Sequence, residues 1–330
     1  MDETQEIIKN GPKLKITRGW ILRVSGSVLI LAVLLWFLPF QEVVEGFSKI
    51  SILVFASVLG LFLIGHAVAA AKWWFLLERG FPYPAALRAH FAGLAANLCL
   101  PGVAGGDVVR AGLIAKLVEL SKLAAASLSD RLIDMFALVL ISASGLLMLS
   151  TNSGGGALVV QIGALFLCAL IGVFYVFPVL MPKFLAAIPN LPFADGFLKL
   201  SEEFRKLGRR PLTLIGALSV SAAIQFAFVM LFIWLADVVG IDVDKGAWFF
   251  AWPLAKILAV LPISLGGLGL REATLAGLMI PFGAASAPVV ATSLIWQSVL
   301  FVAGFIGAIA WLLTNQMSSG PSEMKKRSAP

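Results

Sequence analysis

Charge is scarce in this sequence. Only 13% of its 330 residues are charged and 60% are hydrophobic, too little polar surface to cover a water-soluble fold of this length. Cysteine is almost absent as well. Cys99 and Cys168, the only two, stand isolated in apolar segments, which argues against a disulfide framework or a thiolate metal site and for buried thiols. Histidine stops at His66 and His90, and neither Gly-x-Ser-x-Gly nor His-Glu-x-x-His occurs, so no common hydrolytic motif is present. No metal and no cofactor is expected. The net charge of +7 marks membrane sidedness rather than nucleic acid, because cytoplasmic loops collect Lys and Arg.

What the chain has is long apolar runs. Six are long enough to span a bilayer core of about 30 Å: residues 20–38, 51–77, 123–149, 157–181, 212–236 and 288–313. The first follows a basic cluster from Lys9 to Arg23 and is too long for a signal-peptide core, so an uncleaved span is expected. Basic residues then alternate from side to side. Lys72 lies near the end of the second span and Arg79 and Arg88 follow it, Lys183 to Arg210 follow the fourth, and Lys325, Lys326 and Arg327 close the sequence. This pattern predicts a multi-pass protein of the cytoplasmic membrane with both termini in the cytoplasm. Residues Lys199 to Arg210 fit a small surface helix. Trp20, Trp36, Trp73, Trp74 and Trp311 fall at span ends and read as interface anchors.

Two further apolar segments, 88–120 and 246–285, are broken in the middle by Pro and Gly. Each begins and ends on one side, which predicts re-entrant helical hairpins entering from opposite faces. The first contains "LPGVAGGDVVR" and the second "LPISLGGLGLR". Pro101, Gly105, Gly106 and Arg110 match Pro262, Gly266, Gly267 and Arg271 at a constant offset of 161 residues. The expected fold is therefore an all-α polytopic membrane protein with six full spans and two re-entrant hairpins in an inverted two-fold repeat. Residues 20–150 form the first repeat and 151–314 the second, with basic cytoplasmic segments at 1–19 and 315–330.

A helix that restarts after such a break presents unpaired N–H groups and a partial positive end. Glycines allow a ligand close to the backbone, and arginine adds a bidentate donor suited to phosphate. Pro101 and Pro262 are the expected breaks. Gly105, Gly106, Asp107, Arg110, Gly266, Gly267, Gly269, Arg271 and Glu272 would line an anion site. In "SLSDRLIDMF" Asp130 and Asp134 share a helix face, and Arg131 can pair with Asp134 at i, i+3. Arg131, Asp134 and Lys256 join the site, with Lys256 also readable as a snorkelling lysine. A simpler alternative stays open, in which Pro and Gly only permit tight packing and the arginines pair with carboxylates. His66 reads as a packed helix residue and His90 as the start of a hairpin. Asn97, Gln225 and Gln297 are cavity-lining candidates.

The first hairpin, the "DRLID" segment and the second hairpin, in that order, resemble the transmembrane region of lysylphosphatidylglycerol synthases and its stand-alone, flippase-like relatives, over roughly residues 15–315. The resemblance implies Gly105, Gly106, Asp107, Arg110, Arg131, Asp134, Gly267, Gly269, Arg271 and Glu272 as motif positions. It also implies lipid translocation without the cytosolic aminoacyl-transfer domain. The expected cargo is an anionic phospholipid, an aminoacylated lipid or a polyprenyl-phosphate-linked glycolipid. A membrane glycosyltransferase or lipid-modifying enzyme is the expected partner. The alternatives are an intramembrane enzyme acting on a lipid headgroup, or an ion-coupled small-solute transporter in which Asp107, Asp134 or Glu272 carries the coupling proton.

Overall fold

A computed structural model describes residues 40–99, 104–149, 167–188, 194–260 and 267–318, with the single positions 36, 161, 164 and 165. Among the described residues every regular element is a helix: α1 (Phe40–Ser48), α2 (Ile52–Leu76), α3 (Tyr83–Cys99), α4 (Ala104–Ile114), α5 (Leu120–Leu149), α6 (Leu167–Ala187), α7 (Ala194–Gly208), α8 (Pro211–Val239), α9 (Lys245–Leu258), α10 (Leu270–Met279) and α11 (Ser286–Ser318). Five of them, α2, α5, α6, α8 and residues Ser286–Trp311 of α11, are long and apolar enough to cross a membrane. The span expected at 20–38 lies outside the described residues, apart from Trp36.

Local chemistry sets the helix ends. Ser51 caps α2 by accepting from the Val54 N–H at 3.3 Å, and Asp244 caps α9 by accepting from Gly246 N–H at 2.7 Å. Pro84 and Pro211 stand in the first turns of α3 and α8, where no N–H is needed. Gly240, left-handed at φ 95°, ends α8, and Lys49 donates to its last carbonyl, that of Val239, at 2.7 Å. The fourth span runs on to Ala187 rather than stopping at 181. Pro178 cannot donate to Phe174, and the π-helical turn at Gly172–Val176 absorbs that misfit.

Where two hairpins were expected, α3 packs on α4 and α9 packs on α10. Their connections, 100–103 and 261–266, lie outside the described residues, and with them Pro101, Pro262 and Gly266. The leading arms reach across the molecule. α9 rests along α5, while α3 rests along α11. Both crossings are glycine contacts: a β-carbon on Gly145 would lie 2.6 Å from the Phe249 carbonyl carbon, and one on Gly307 would lie 2.6 Å from the Phe91 carbonyl oxygen. Ser142 adds a hydrogen bond to the Phe250 carbonyl at 2.8 Å. α2 and α8 pack on each other at the centre.

The core between them is aromatic. Phe62, Phe228, Phe232, Trp252 and Trp296 interlock, with Trp252 edge-on to Trp296 at 5.6 Å. Two sequence expectations fail here. Trp73 is not an interface anchor but fully buried, in an apolar cluster with Leu76, Ala86 and Leu123 and beneath Arg110. Cys168 is exposed rather than buried, since α6 turns most of its apolar surface outward, as Tyr175, Val179, Leu180 and Phe184 also do. The expected surface helix is α7, which buries Phe204 and Leu207 and exposes its charges.

Candidate functional site: a buried charge cluster

Three helices, α2, α4 and α5, bring six charges together within the apolar bundle. Arg110 on α4 is the hub. Both terminal nitrogens donate to Asp130 Oδ2 on α5, each at 3.2 Å, and Nη2 lies 3.0 Å from Asp107 Oδ1. The guanidinium carbon stands 4.2 Å over the Trp73 ring, whose own N–H donates to Ser127 at 3.3 Å. Arg131 Nε donates to the other oxygen of Asp107 at 2.6 Å. Lys72, from α2, pairs with Asp130 Oδ1 at 3.0 Å and with Asp134, which also accepts from Ser221 on α8. An isolated charge at the bilayer centre costs about 2.5–3.5 kcal/mol on insertion scales, so pairing of this kind is what lets these residues stand inside a helix bundle.

The expected Arg131–Asp134 pair is not how these charges sort. Asp134 is taken by Lys72 and Ser221, and Arg131 reaches to Asp107. Lys72 is likewise not a loop charge: it is buried within α2. Burial grades the cluster. Arg110, Lys72 and Asp130 are enclosed, whereas Asp107, Asp134 and Arg131 keep 19%, 28% and 36% of their side chains exposed.

Lys256 joins from α9. It donates to Gln225 at 2.8 Å and lies over the Phe228 and Trp252 rings at 5.5 and 5.1 Å, so it does not snorkel outward. It stands within electrostatic reach of Asp134 and of three other cations, Arg271, Arg131 and Lys72. No carboxylate lies within 4.0 Å of it among the described residues. Four cations, Lys72, Arg110, Arg131 and Lys256, thus face three carboxylates.

His66 and His90 complete the first cluster: His66 Nδ1 is 3.0 Å from His90 Nε2, and His90 Nδ1 is 3.4 Å from Arg110 Nη1.

Arg271 is held separately. Its Nη2 donates to Glu272 at 2.7 Å, Gln297 at 2.9 Å and the Ser293 carbonyl at 3.3 Å. Fully buried Glu272 also accepts from Ser293 and, at 2.6 Å, from Gly269 N–H, which caps α10. Each motif arginine therefore ties its short helix to the long helix that follows it, Arg110 to α5 and Arg271 to α11. The buried Nε of Arg110, Nε of Arg271 and Nε1 of Trp252 have no acceptor among the described residues.

The glycines have structural duties. Gly106 packs on Gly93, and its N–H donates to Asn97 at 2.8 Å. Gly267 and Gly269 adopt left-handed φ of 82° and 81° in the turn that starts α10. Both helix starts are therefore partly capped from within, by Asn97 and Glu272, and are not fully open anion sites. Gly105 is half-buried beside them.

A family model described as the lysylphosphatidylglycerol synthase TM region matches residues 20–308. The chain belongs to that family. Among curated proteins none matches it. As a lysylphosphatidylglycerol synthase TM-region protein it is a multi-pass membrane protein, and the matched stretch contains every charge described above. Among the described residues no group of His, Cys, Asp and Glu is arranged to hold a metal ion.

The family motifs supplied Arg110, Asp107, Arg131 and Asp134. Lys72, His66, His90, Ser221 and the depth of Asp130 were missed as site residues. A usable signal existed for Lys72. Asp130 and Asp134 sit one turn apart in a span and need more than one cation, and Lys72 is the remaining basic residue within an apolar run.

Proposed function

We propose that this chain translocates an anionic lipid between leaflets, carrying the headgroup past the buried charge cluster while the acyl or prenyl chains stay in the bilayer. The cargo is a phospholipid, an aminoacylated lipid or a polyprenyl-phosphate glycolipid, supplied or consumed by a membrane glycosyltransferase or lipid-modifying enzyme. The observation that carries this reading is the imbalance of the cluster. Among the described residues Lys256 adds a fourth cation to three carboxylates, and the buried Nε of Arg110 still lacks an acceptor. A phosphate oxygen on the Nε edge of Arg110 would supply the acceptor, and its charge would offset the fourth cation.

The reciprocal seating of α3 on α11 and α9 on α5, between segments offset by 161 residues, supports an inverted repeat with hairpins entering from opposite faces. In this reading both termini face the cytoplasm, the protein sits in the cytoplasmic membrane and the lipid leaves chemically unchanged.

The test is a proteoliposome assay with headgroup-labelled phosphatidylglycerol and a labelled phosphatidylcholine control. Loss of a charge-assisted contact is worth about 1.5–3 kcal/mol, so Lys256→Met should slow phosphatidylglycerol translocation about ten- to a hundredfold, while Lys256→Arg keeps most of the rate. Equal rates for Lys256→Met and the unaltered chain would refute the site. Recovered lipid with an altered mass would favour an enzyme.

A further inference from the structure

The chain's only two histidines, 24 residues apart, form a hydrogen-bonded pair that ends on Arg110. Hydrogen-bond chemistry fixes their protons. A guanidinium only donates, so His90 Nδ1 must accept from Arg110, which places the His90 proton on Nε2. That proton is then donated to His66 Nδ1, which leaves the His66 proton on its own Nε2. Both rings are neutral, and both lone pairs are in use. Arg110 closes the one nitrogen, His90 Nδ1, through which the pair could take up a proton.

The surroundings reinforce the closure. The charged groups facing His66 are Lys256 from α9 and Arg131 from α5. Those facing His90 are Arg110 from α4, Lys72 from α2 and Arg131 from α5. α8 contributes the Phe228 ring, 5.6 Å from His66. α11 carries no titratable side chain along its length. The carboxylates Asp107, Asp130 and Asp134 are turned to the cations. Arg110 also has a way to be drawn off, since its buried Nε is without an acceptor among the described residues.

We propose that anion binding at Arg110 is linked to uptake of one proton at His90 Nδ1, so that the His66–His90 pair makes lipid movement proton-coupled. An anionic oxygen engages the Nε–Nη edge of Arg110 and draws Nη1 from His90. The freed lone pair takes a proton, and His90, now with N–H at both nitrogens, still donates to His66. When the anion leaves, the proton leaves Nδ1 and Arg110 returns. No covalent bond other than N–H forms or breaks, and the charge of the anion offsets that of the proton. The inference rests on the translocation reading for its transport consequence, but the linkage itself is measurable without transport.

In detergent, the full-length protein is titrated with short-chain phosphatidylglycerol in weakly buffered solution containing a pH indicator. Uptake of about one proton per bound lipid is expected for the unaltered chain, and none for His90→Gln. Binding by the unaltered chain without proton uptake overturns the proposal, whatever the variants do. In proteoliposomes, one coupled proton per lipid allows a one-unit pH gradient to bias the steady-state leaflet ratio by up to about tenfold. His90→Gln should bring that ratio to one at any absolute rate, and a gradient-driven ratio that survives in His90→Gln also overturns the proposal. Proton uptake in detergent with no lipid movement in vesicles under any gradient refutes the translocator and leaves the linkage standing.

Discussion

Gly93 of α3 and Gly106 of α4 lie back to back, and a β-carbon on Gly93 would fall 2.6 Å from the carbonyl oxygen of Gly106. This contact sets how closely α4, and with it Asp107 and Arg110, approaches α3. Overpacking of such a site costs about 1–3 kcal/mol, so Gly93→Ala and Gly106→Ala should lower the melting temperature in detergent. Gly112, on the same helix, has nothing within 4 Å of its added β-carbon. There alanine should raise it, by about 0.5–1 kcal/mol of helix preference. A uniform response of the three variants would contradict the packing described.

Lys72 is enclosed between Asp130 and Asp134. Removing one partner of a buried pair costs about 3–5 kcal/mol because a charge is stranded. Lys72→Met is expected to unfold readily, and Asp134→Asn added to it should recover much of the loss, leaving Arg110–Asp130 and Arg131–Asp107 intact. Thermal unfolding of the two single variants and the double variant measures the coupling. Additive losses would mean that Lys72 and Asp134 act independently.

At the end of α2, Glu78 and Arg79 adopt left-handed φ of 62° and 57°, and Glu78 joins Lys122 at the start of α5 to Arg210 at the start of α8. The hydrogen bond from Lys122, assisted by the charges of Lys122, Arg210 and Lys206, holds this carboxyl below its ordinary value. A depressed carboxyl stabilises the fold fully above its unfolded value of about 4.3, and that contribution is lost as pH falls through the folded value. Exposed pairs are worth about 0.2–1 kcal/mol each. Glu78→Gln should therefore melt slightly below the unaltered chain at pH 7. The two should converge as pH falls through the folded value and in high salt, and a difference that persisted in high salt would disprove the charge origin.

Glu272 accepts from Arg271, Ser293 and Gly269 N–H with no exposure to solvent. Glu272→Gln keeps the shape and loses the charge, at about 1.5–3 kcal/mol. Glu272→Ala should be worse, since it strands Arg271 and uncaps α10. Melting temperatures that rank Ala below Gln below Glu are expected.

Much of this was legible in the sequence, for reasons that differ by residue. α2, α5, α8 and α11 follow from apolar length alone, and the packed helix pairs α3–α4 and α9–α10 from Pro and Gly interrupting apolar runs. Arg110 and Arg271 stand out because arginine is rare at such depth. The partners could not be read. Arg131 pairs with Asp107 across 24 residues, and Lys72 with Asp134 across 62, and neither spacing carries a helical period. Trp73 looked like an anchor because a tryptophan beside a span end normally is one, whereas here it is buried in an apolar cluster with Leu76, Ala86 and Leu123 and beneath Arg110. The glycine motif suggested an open cradle for a ligand, yet Asn97 and Glu272 take the N–H groups at Gly106 and Gly269.

The way α3 lies on α11 while α9 lies on α5 has a consequence for how the polypeptide comes into being. A ribosome that has made only the first 150 residues has produced an arm, around Phe91, whose glycine seat at Gly307 does not yet exist, and a groove at Gly145 with no tenant. Each waits for the other portion of the chain. Produced as two separate polypeptides, the portions should be degraded singly and rescue one another when made together.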